Sequence, residues 1–364
     1  LFFPPLFGCC AAHHRTLRNM ATKFKFFTKK KSPAELVQST LRNMATFSEE
    51  KNDAKAKKAC TKITVNLHAM KFLLYGDGDA DPKQADIDKL CHEIFQNDLL
   101  LKLVDNFAKF EFEARKDVSQ IYNFVLRHKQ KEAAQYVLDH KEILTTLVNG
   151  YGNADIALNC GSILREVIRH EKLNEMILYD DTLFSKFFEY VQLTTFDVAS
   201  DAFGTFKLLL TKSPKMCGKF LNDKFDGVFT QFDKLLQSSN YVTKRQSLKL
   251  LGELLMNRSN YQMMMKYINS EVNLKTMMNL LKGTTKAIQF EAFHVFKIFV
   301  ANPKKSQKVL DILIRNKDKL MTFLEKFQKD KEDDVFEQEK QMLVAALKTL
   351  DKTMLESADN KNGL

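Results

Sequence analysis

The stretches AFGTFKLLL (Ala202–Leu210) and AFHVFKIFV (Ala292–Val300) are two versions of one pattern, set ninety residues apart. Each opens on a small residue and places bulky apolar residues at +4, +7 and +8. These are Phe206, Leu209 and Leu210 in the first, and Phe296, Phe299 and Val300 in the second. That spacing puts the bulky side chains on one face of a helix. Midway between them Ser247 opens the same pattern with Leu251, Leu254 and Leu255, so the small anchors recur at 45 and 45. Counting 42 residues toward the N-terminus, Cys160 opens it again with Leu164, Val167 and Ile168. Another 42 residues back, Val118 does so with Tyr122, Val125 and Leu126.

Each of these helices is preceded by a second apolar segment: Leu99–Phe107, Ile143–Tyr151, Leu183–Val191, Phe225–Leu236, Leu274–Leu281 and Leu320–Phe327. The inner ones are followed by a third, at Lys172–Leu178, Tyr261–Ile268 and Ser306–Ile314. Three helices in 42–45 residues is the armadillo/HEAT period. One such unit cannot bury its apolar face alone, so neighbours must stack. A small anchor residue lets the next helix approach closely. With 12 Gly and 6 Pro the chain has little turn punctuation, which suits helices with brief links rather than a sandwich or barrel. The expected fold is all-α, an armadillo/HEAT-like helical repeat solenoid of about six to seven repeats over residues 32–350. One large helical bundle is the competing architecture; the sustained period argues against it. Thr243 precedes the Ser247 stripe and is read as the N-cap of its helix.

The net charge of +11 invites a nucleic-acid reading. Residues 1–31 hold seven Lys and Arg and no acid; subtracting them leaves +4 for the rest. A body at +4 with interleaved signs is not a polyanion-binding surface by composition. Residues 1–31 are also aromatic, begin with Leu, and contain TLRNMAT at Thr16–Thr22, repeated at Thr40–Thr46. The segment is expected to be an irregular, disordered end, with Met20 a candidate start; its basic, acid-free composition also mimics a targeting presequence. Residues 351–364 are read as a C-terminal tail. Six cysteines form no CxxC pair, and Cys60, Cys91 and Cys160 sit in apolar helical patterns as small core residues. Reduced thiols and the lack of an eighteen-residue apolar run lead to the expectation of a cytoplasmic protein.

Motifs of catalysis are not found. The chain has no GxGxxG, GxxxxGK[ST], HExxH or GxSxG. Cys91 and His92 are adjacent, about 100° apart on a helix, and make a poor chelate. Asp77, Asp79 and Asp81 fill positions 1, 3 and 5 of a calcium loop, but Pro82 replaces the required Gly and Asp88 the bidentate Glu. No metal, calcium or cofactor is expected. Met263, Met264, Met265, Met277 and Met278 read as core, although solenoids leave one face partly apolar for partners.

FDVASDAFGTFKLLLT (Phe196–Thr211), NYVTKRQSLKLLGELL (Asn240–Leu255) and IQFEAFHVFKIFVANPKK (Ile288–Lys305) closely resemble the calcium-binding protein 39, or mouse protein-25, family. IALNCGSILREVIRHE (Ile156–Glu171) and KSPAEL (Lys31–Leu36) do so as well, and the resemblance spans roughly Phe24 to Leu350. It implies a horseshoe of armadillo-like repeats without catalytic activity. Such proteins bind the sterile-20-related adaptor pseudokinase, stabilise its closed form, and so activate liver kinase B and sterile-20-class kinases. Two partner-binding surfaces carry over by position. Arg245 and Met278 match the centre of a pocket for a Trp-Glu-Phe tail. Phe196 and Arg258 match the concave surface that meets kinase domains, and Tyr261 stands where the family has Phe. The segment Lys129–Glu142 departs from the family in length and letters, which puts its partner contacts in doubt.

The competing functional reading is a helical-repeat adaptor for transport or nucleic-acid binding. It would need a basic row repeating with the period; Lys207 and Lys297 recur, but Gly252 stands between them. An enzyme would need convergent titratable residues in a pocket.

Overall fold

The structure is a computed structural model, and it describes residues 31–49, 53–76, 81–329 and 332–350. The first copy of TLRNMAT, Met20, Cys9, Cys10, Asp77, Asp79 and the 351–364 tail lie outside the described residues. Every regular element among the described residues is a helix. The chain divides into two compact units, 1–143 and 144–364.

The first unit contains α1 (Pro33–Glu49), α2 (Asp53–Tyr75), α3 (Gln84–Gln96), α4 (Leu99–Asp105), α5 (Phe112–His128) and α6 (Gln130–Asp139). Helix α1 packs on α2 and α3, and α2 on α5. Leu67, Met70, Leu74, Ile94, Leu100, Ile121 and Val125 are buried between them. Tyr122 is fully buried, and its hydroxyl donates to the Leu100 carbonyl, so the one polar atom of a large apolar side chain is satisfied. Asp117 of α5 is buried too. It accepts from Lys71 Nζ at 2.5 Å and faces His68 Nδ1 at 3.1 Å, both on α2. Burial alone would raise the Asp117 carboxyl, but the hydrogen bonds from His68 and Lys71 outweigh it and hold the group below the usual carboxylate range.

The second unit continues with α7 (Glu142–Asn149, whose first turn straddles the boundary), α8 (Ala157–Val167), α9 (Glu171–Tyr179), α10 (Asp181–Tyr190) and α11 (Phe196–Thr211). Then come α12 (Pro214–Asp223), α13 (Phe225–Gln237), α14 (Tyr241–Met256), α15 (Tyr261–Ile268), α16 (Glu271–Lys282), α17 (Lys286–Ala301), α18 (Gln307–Lys326) and α19 (Asp334–Lys348). This is the repeat seen in the letters: the anchor helices α8, α11, α14 and α17 lie on one another in order, and α19 follows α17. Ala202, Ser247 and Ala292 are 0% exposed, and all nine bulky residues that follow them are buried. Cys160 and Val118 are buried with their own apolar triads. The chain is therefore an all-α, armadillo/HEAT-like repeat protein. Burial of one Leu or Phe contributes about 1.5–3 kcal/mol, so the nine residues of three repeats are a large share of the core. Phe184, Phe187, Phe188, Phe206 and Phe232 add ring contacts between 5.0 and 6.4 Å.

Two expectations need correction. Thr243 is not the N-cap of α14. Asn240 is, its Oδ1 accepting from Val242 N at 2.9 Å and Thr243 N at 3.3 Å. Thr243 lies inside the helix, buried, and donates to the Val191 carbonyl at 3.2 Å. The separate segments Ser306–Ile314 and Leu320–Phe327 form one helix, α18, of 20 residues. Arg315, Lys317 and Lys319 between them are good helix formers, and no Gly or Pro interrupts.

The buried Tyr151 joins the start of α8 to α11. Its hydroxyl donates to Asp201 Oδ2 at 2.7 Å and meets Thr205 Oγ1 at 2.7 Å, and Arg165 Nη1 reaches Asp201 at 2.8 Å. Only glycine fits at 161. A Cβ there would stand 2.0 Å from Asp201 Oδ2 and 2.3 Å from the Tyr151 hydroxyl, whereas one at Gly204 meets nothing within 4 Å. Gly161→Ala is expected to lower stability by about 1–3 kcal/mol through this overpacking. Gly204→Ala, in an open helical position, is expected to be neutral or to stabilise by up to about 1 kcal/mol. Urea unfolding of both variants checks the pair. In the first unit, Asp117 has a lowered folded-state pKa. Its contribution is present above the unfolded-state value of about 4 and is lost as pH falls through the folded value. The stability difference between wild type and Asp117→Asn, followed by urea unfolding from pH 7 to 3, is expected to shrink toward acid.

Candidate partner-binding surface

Arg245 lies in the second turn of α14, with its side chain half exposed. Its Nε stands 3.6 Å from Glu291 Oε1 on α17. This contact belongs to a series. Lys71 pairs with Asp117 in the first unit. In the second, Arg165 pairs with Asp201 at 2.8 Å, Lys207 with Glu253 at 2.7 Å, and Lys297 with Glu339 at 2.5 Å. Each time the earlier helix of the pair supplies the cation and the later one the carboxylate. Arg245–Glu291 is the longest of them. The rung exposed on both sides, Lys207–Glu253, contributes at most about 1 kcal/mol, so it sets the register of neighbouring helices more than it stabilises them. Lys207 and Lys297, the two repeating lysines a nucleic-acid reading would rest on, are both engaged within the ladder.

Met278 is in α16, only 7% exposed, and α16 packs along α17. Arg245 and Met278 thus both flank α17, one paired at its surface and the other buried against its neighbour. Phe196 is the first residue of α11 and is 64% exposed. Forty-five residues on, Tyr241 is the first residue of α14 and is 45% exposed. The period therefore puts an uncovered aromatic ring at the same place in two successive repeats, and Val242 beside Tyr241 is exposed as well. Tyr241 and Val242 escape a helical-stripe reading because they precede the buried stripe.

Arg258 and Tyr261 come together at the corner between α14 and α15. Arg258 opens a 3-10 turn (Arg258–Asn260) and is exposed. Asn257 caps this turn by accepting from Ser259 N at 2.9 Å, and the buried Asn260 donates to the Leu254 carbonyl at 2.8 Å. Gly218 of α12 lets the turn settle close: a Cβ there would stand 2.5 Å from the Ser259 carbonyl oxygen. Tyr261 then begins α15, 56% exposed, on the wall of a groove of about 630 Å³. Met256, Met264 and Met265, Ile298 of α17, and Met342 and Leu343 of α19 line it as well. The Lys297–Glu339 pair and Lys304 stand at its edge. Met256 and Met342 are 64% and 70% exposed, while Met263 and Met277 are fully buried. The run Met263–Met265 thus divides, the first residue in the core and the next two in the groove. A second groove, of about 850 Å³, has Phe323 and Phe327 with Lys286, Lys319, Lys326 and Lys329 around them. Neither Arg245 nor Met278 lines either groove.

No group of three or more His, Cys, Asp or Glu among the described residues is arranged to hold a metal. Asp88, the twelfth position of the would-be calcium loop, sits in α3 and accepts from Lys129 Nζ at 2.8 Å; that hydrogen bond chiefly holds its carboxyl below the usual range. Cys91 is buried and His92 exposed. Cys60, Cys91, Cys160 and Cys217 are free and buried, and burial pushes the Cys160 thiol up to about 12. No helix among the described residues is long and apolar enough to cross a membrane.

Comparison with known proteins agrees with this geometry. The family model described as Mo25-like matches residues 24–351. The chain is 46% identical over 336 residues to the human protein named Calcium-binding protein 39-like, covering 91% of this chain and 99% of that one. It is 43% identical to MO25-like protein 2 of Caenorhabditis elegans, over 88% of this chain and 96% of that one. Among solved structures, Uso1-2 superposes with a TM-score of 0.54 at 11% identity, over 90% of this chain and 57% of that one, a likeness of fold alone. With its repeats, its match over most of its length and relatives at this identity, the chain belongs to the Mo25-like family.

Proposed function

We propose that this protein is a non-catalytic scaffold that binds a pseudokinase and serine/threonine kinases and stabilises their closed, active conformation. The observation that carries this reading is the set of uncovered aromatic and methionine side chains — Phe196, Tyr241, Tyr261, Met256 and Met342 — on repeats whose apolar stripes are buried. Apolar surface of that kind, edged with cations such as Arg258, suits a protein partner. Membership of the Mo25-like family points to kinases as that partner. The mechanism needs no chemistry from the scaffold. A kinase domain exchanges between open and closed forms, and a stiff surface that contacts only the closed form shifts the population by its difference in affinity. Arg245 is suited to a tail carboxylate: its contact with Glu291 is long and its guanidinium is half exposed. Met278, being buried, would shape the floor of such a site rather than present a surface contact.

Binding of the full chain to a peptide ending in Trp-Glu-Phe tests the tail site. Arg245→Ala is expected to weaken binding about tenfold or more, equivalent to about 1.4 kcal/mol, while changing stability by less than about 1 kcal/mol. At Met278 the informative variant is Met278→Leu, which conserves volume, because truncation to Ala would cost about 2–5 kcal/mol of fold stability. Arg258→Ala and Tyr261→Ala are expected to spare the peptide and to weaken binding of the pseudokinase domain. Folded wild-type protein that binds neither ligand would sink the reading. So would binding that leaves the pseudokinase's nucleotide affinity unchanged.

A further inference from the structure

Helix α2 of the first unit is apolar on two sides. Ile63, Leu67, Met70 and Leu74 are buried on its inward side. On its outward side Val65, Phe72 and Tyr75 are 38%, 41% and 49% exposed. A helix with a single buried face carries polar residues opposite it, so packing within the chain does not account for this second apolar face. The outward residues Lys58, Thr61, Val65, His68, Phe72 and Tyr75 alternate three and four apart. That is the seam along which one helix lies on another in a coiled coil. From Lys58 to Tyr75 it extends about 26 Å along the helix axis. Its rings are already held in place. His68 stands edge-on to Phe72 at 4.5 Å, and Tyr75 edge-on to Phe124 of α5 at 5.1 Å. The Tyr75 hydroxyl donates to the Gln120 carbonyl at 3.1 Å. Rings fixed in this way lose little freedom when a partner covers them.

Charge selects what the seam receives. After Asp53, α2 holds Lys55, Lys57, Lys58, Lys62 and Lys71 and no acidic residue. Lys57 and Lys62 flank the seam at the positions that form ion pairs between the strands of a coiled coil, and both are exposed. Lys71, two heptads beyond Lys57, is already paired with Asp117. A second copy of α2 would set lysine against lysine, which is unfavourable in either orientation. The complement is therefore acidic. A nucleic-acid strand could meet the lysines, but it has no three-and-four spacing to match Val65, Phe72 and Tyr75.

We propose that the outward face of α2 docks an acidic amphipathic helix of another protein. Its apolar residues lie on Val65, Phe72 and Tyr75, and its carboxylates lie beside Lys57, Lys58 and Lys62. Acidic residues early in a helix also suit its own dipole, so the docked helix runs parallel to α2. The surface is separate from Arg258, Tyr261 and Arg245, and the inference does not rest on the scaffold function proposed above.

The probe is a synthetic helical peptide of about three heptads, with Glu flanking the seam in its first half and Leu at seam positions in its second. Binding to the full chain is followed by fluorescence anisotropy, and urea midpoints establish that each variant is folded. Phe72→Asp is expected to weaken binding about tenfold or more. The double variant Lys57→Glu, Lys62→Glu is expected to weaken it about fivefold or more and to prefer the same peptide with Lys in place of Glu. This charge swap decides the matter by itself should Phe72→Asp lose the fold. Folded wild-type protein that does not bind the Glu peptide overturns the proposal, as does binding that neither variant changes. Displacement of the peptide by single-stranded RNA whose own binding Phe72→Asp abolishes overturns it too, assigning the face to nucleic acid. So does a wild-type dimer in sedimentation that Phe72→Asp converts to monomer, assigning the face to a second copy.

Discussion

A helix lies flush against its neighbour only where the side chain between them is small. In this protein that place is held by Cys160, Ala202, Ser247 and Ala292, each buried inside an anchor helix where its apolar stripe begins. Close approach at these points brings the triads at +4, +7 and +8 into contact with the adjoining helices, and the rest of the core follows. A larger side chain at any of them would separate two repeats and open the apolar faces on both sides, because each unit buries its face only through its neighbours. Gly161 and Gly218 carry the same constraint in its strictest form: at 161 two polar groups occupy the space of a Cβ, and at 218 a backbone carbonyl does.

Apolar stacking alone leaves neighbouring helices free to slide, and the cross-repeat ion pairs limit that freedom. Their direction is constant, cation first and carboxylate next. This order neutralises the lysines that recur with the period and removes the basic row that composition alone hinted at. Arg245–Glu291 is the loosest rung. It is also the rung whose arginine the family resemblance marks as a binding residue. A cation held weakly by its own scaffold keeps donor capacity for a ligand.

Methionine shows how position decides the role of one residue type. Met263 and Met264 are adjacent, yet one is sealed in the core and the other lines a groove, because successive residues of a helix point about 100° apart. The exposed rings at Phe196 and Tyr241 arise differently. Both precede their helix's buried stripe, at the first residue, where no preceding turn covers them.

The architecture was legible in the letters. A pattern of small residue and apolar triad, repeated at 42–45 residues, has one economical physical solution, and the structure adopts it. The residues that cap and separate helices were less legible. Asn240 displaced Thr243 as cap because the helix begins at Tyr241, ahead of its apolar stripe, so the first free backbone donors are those of Val242 and Thr243. The two segments within α18 merged because nothing between them breaks a helix. The groove around Tyr261 could not be read at all. Its walls come from α14, α15, α17 and α19, ninety residues from end to end, and apolar residues from four helices line an open surface only once those helices have been placed. Sequence by itself determined which faces are buried, since helical periodicity and side-chain size act locally. Tertiary structure alone decided which of the remaining apolar residues converge, since convergence depends on contacts between residues that no local pattern links.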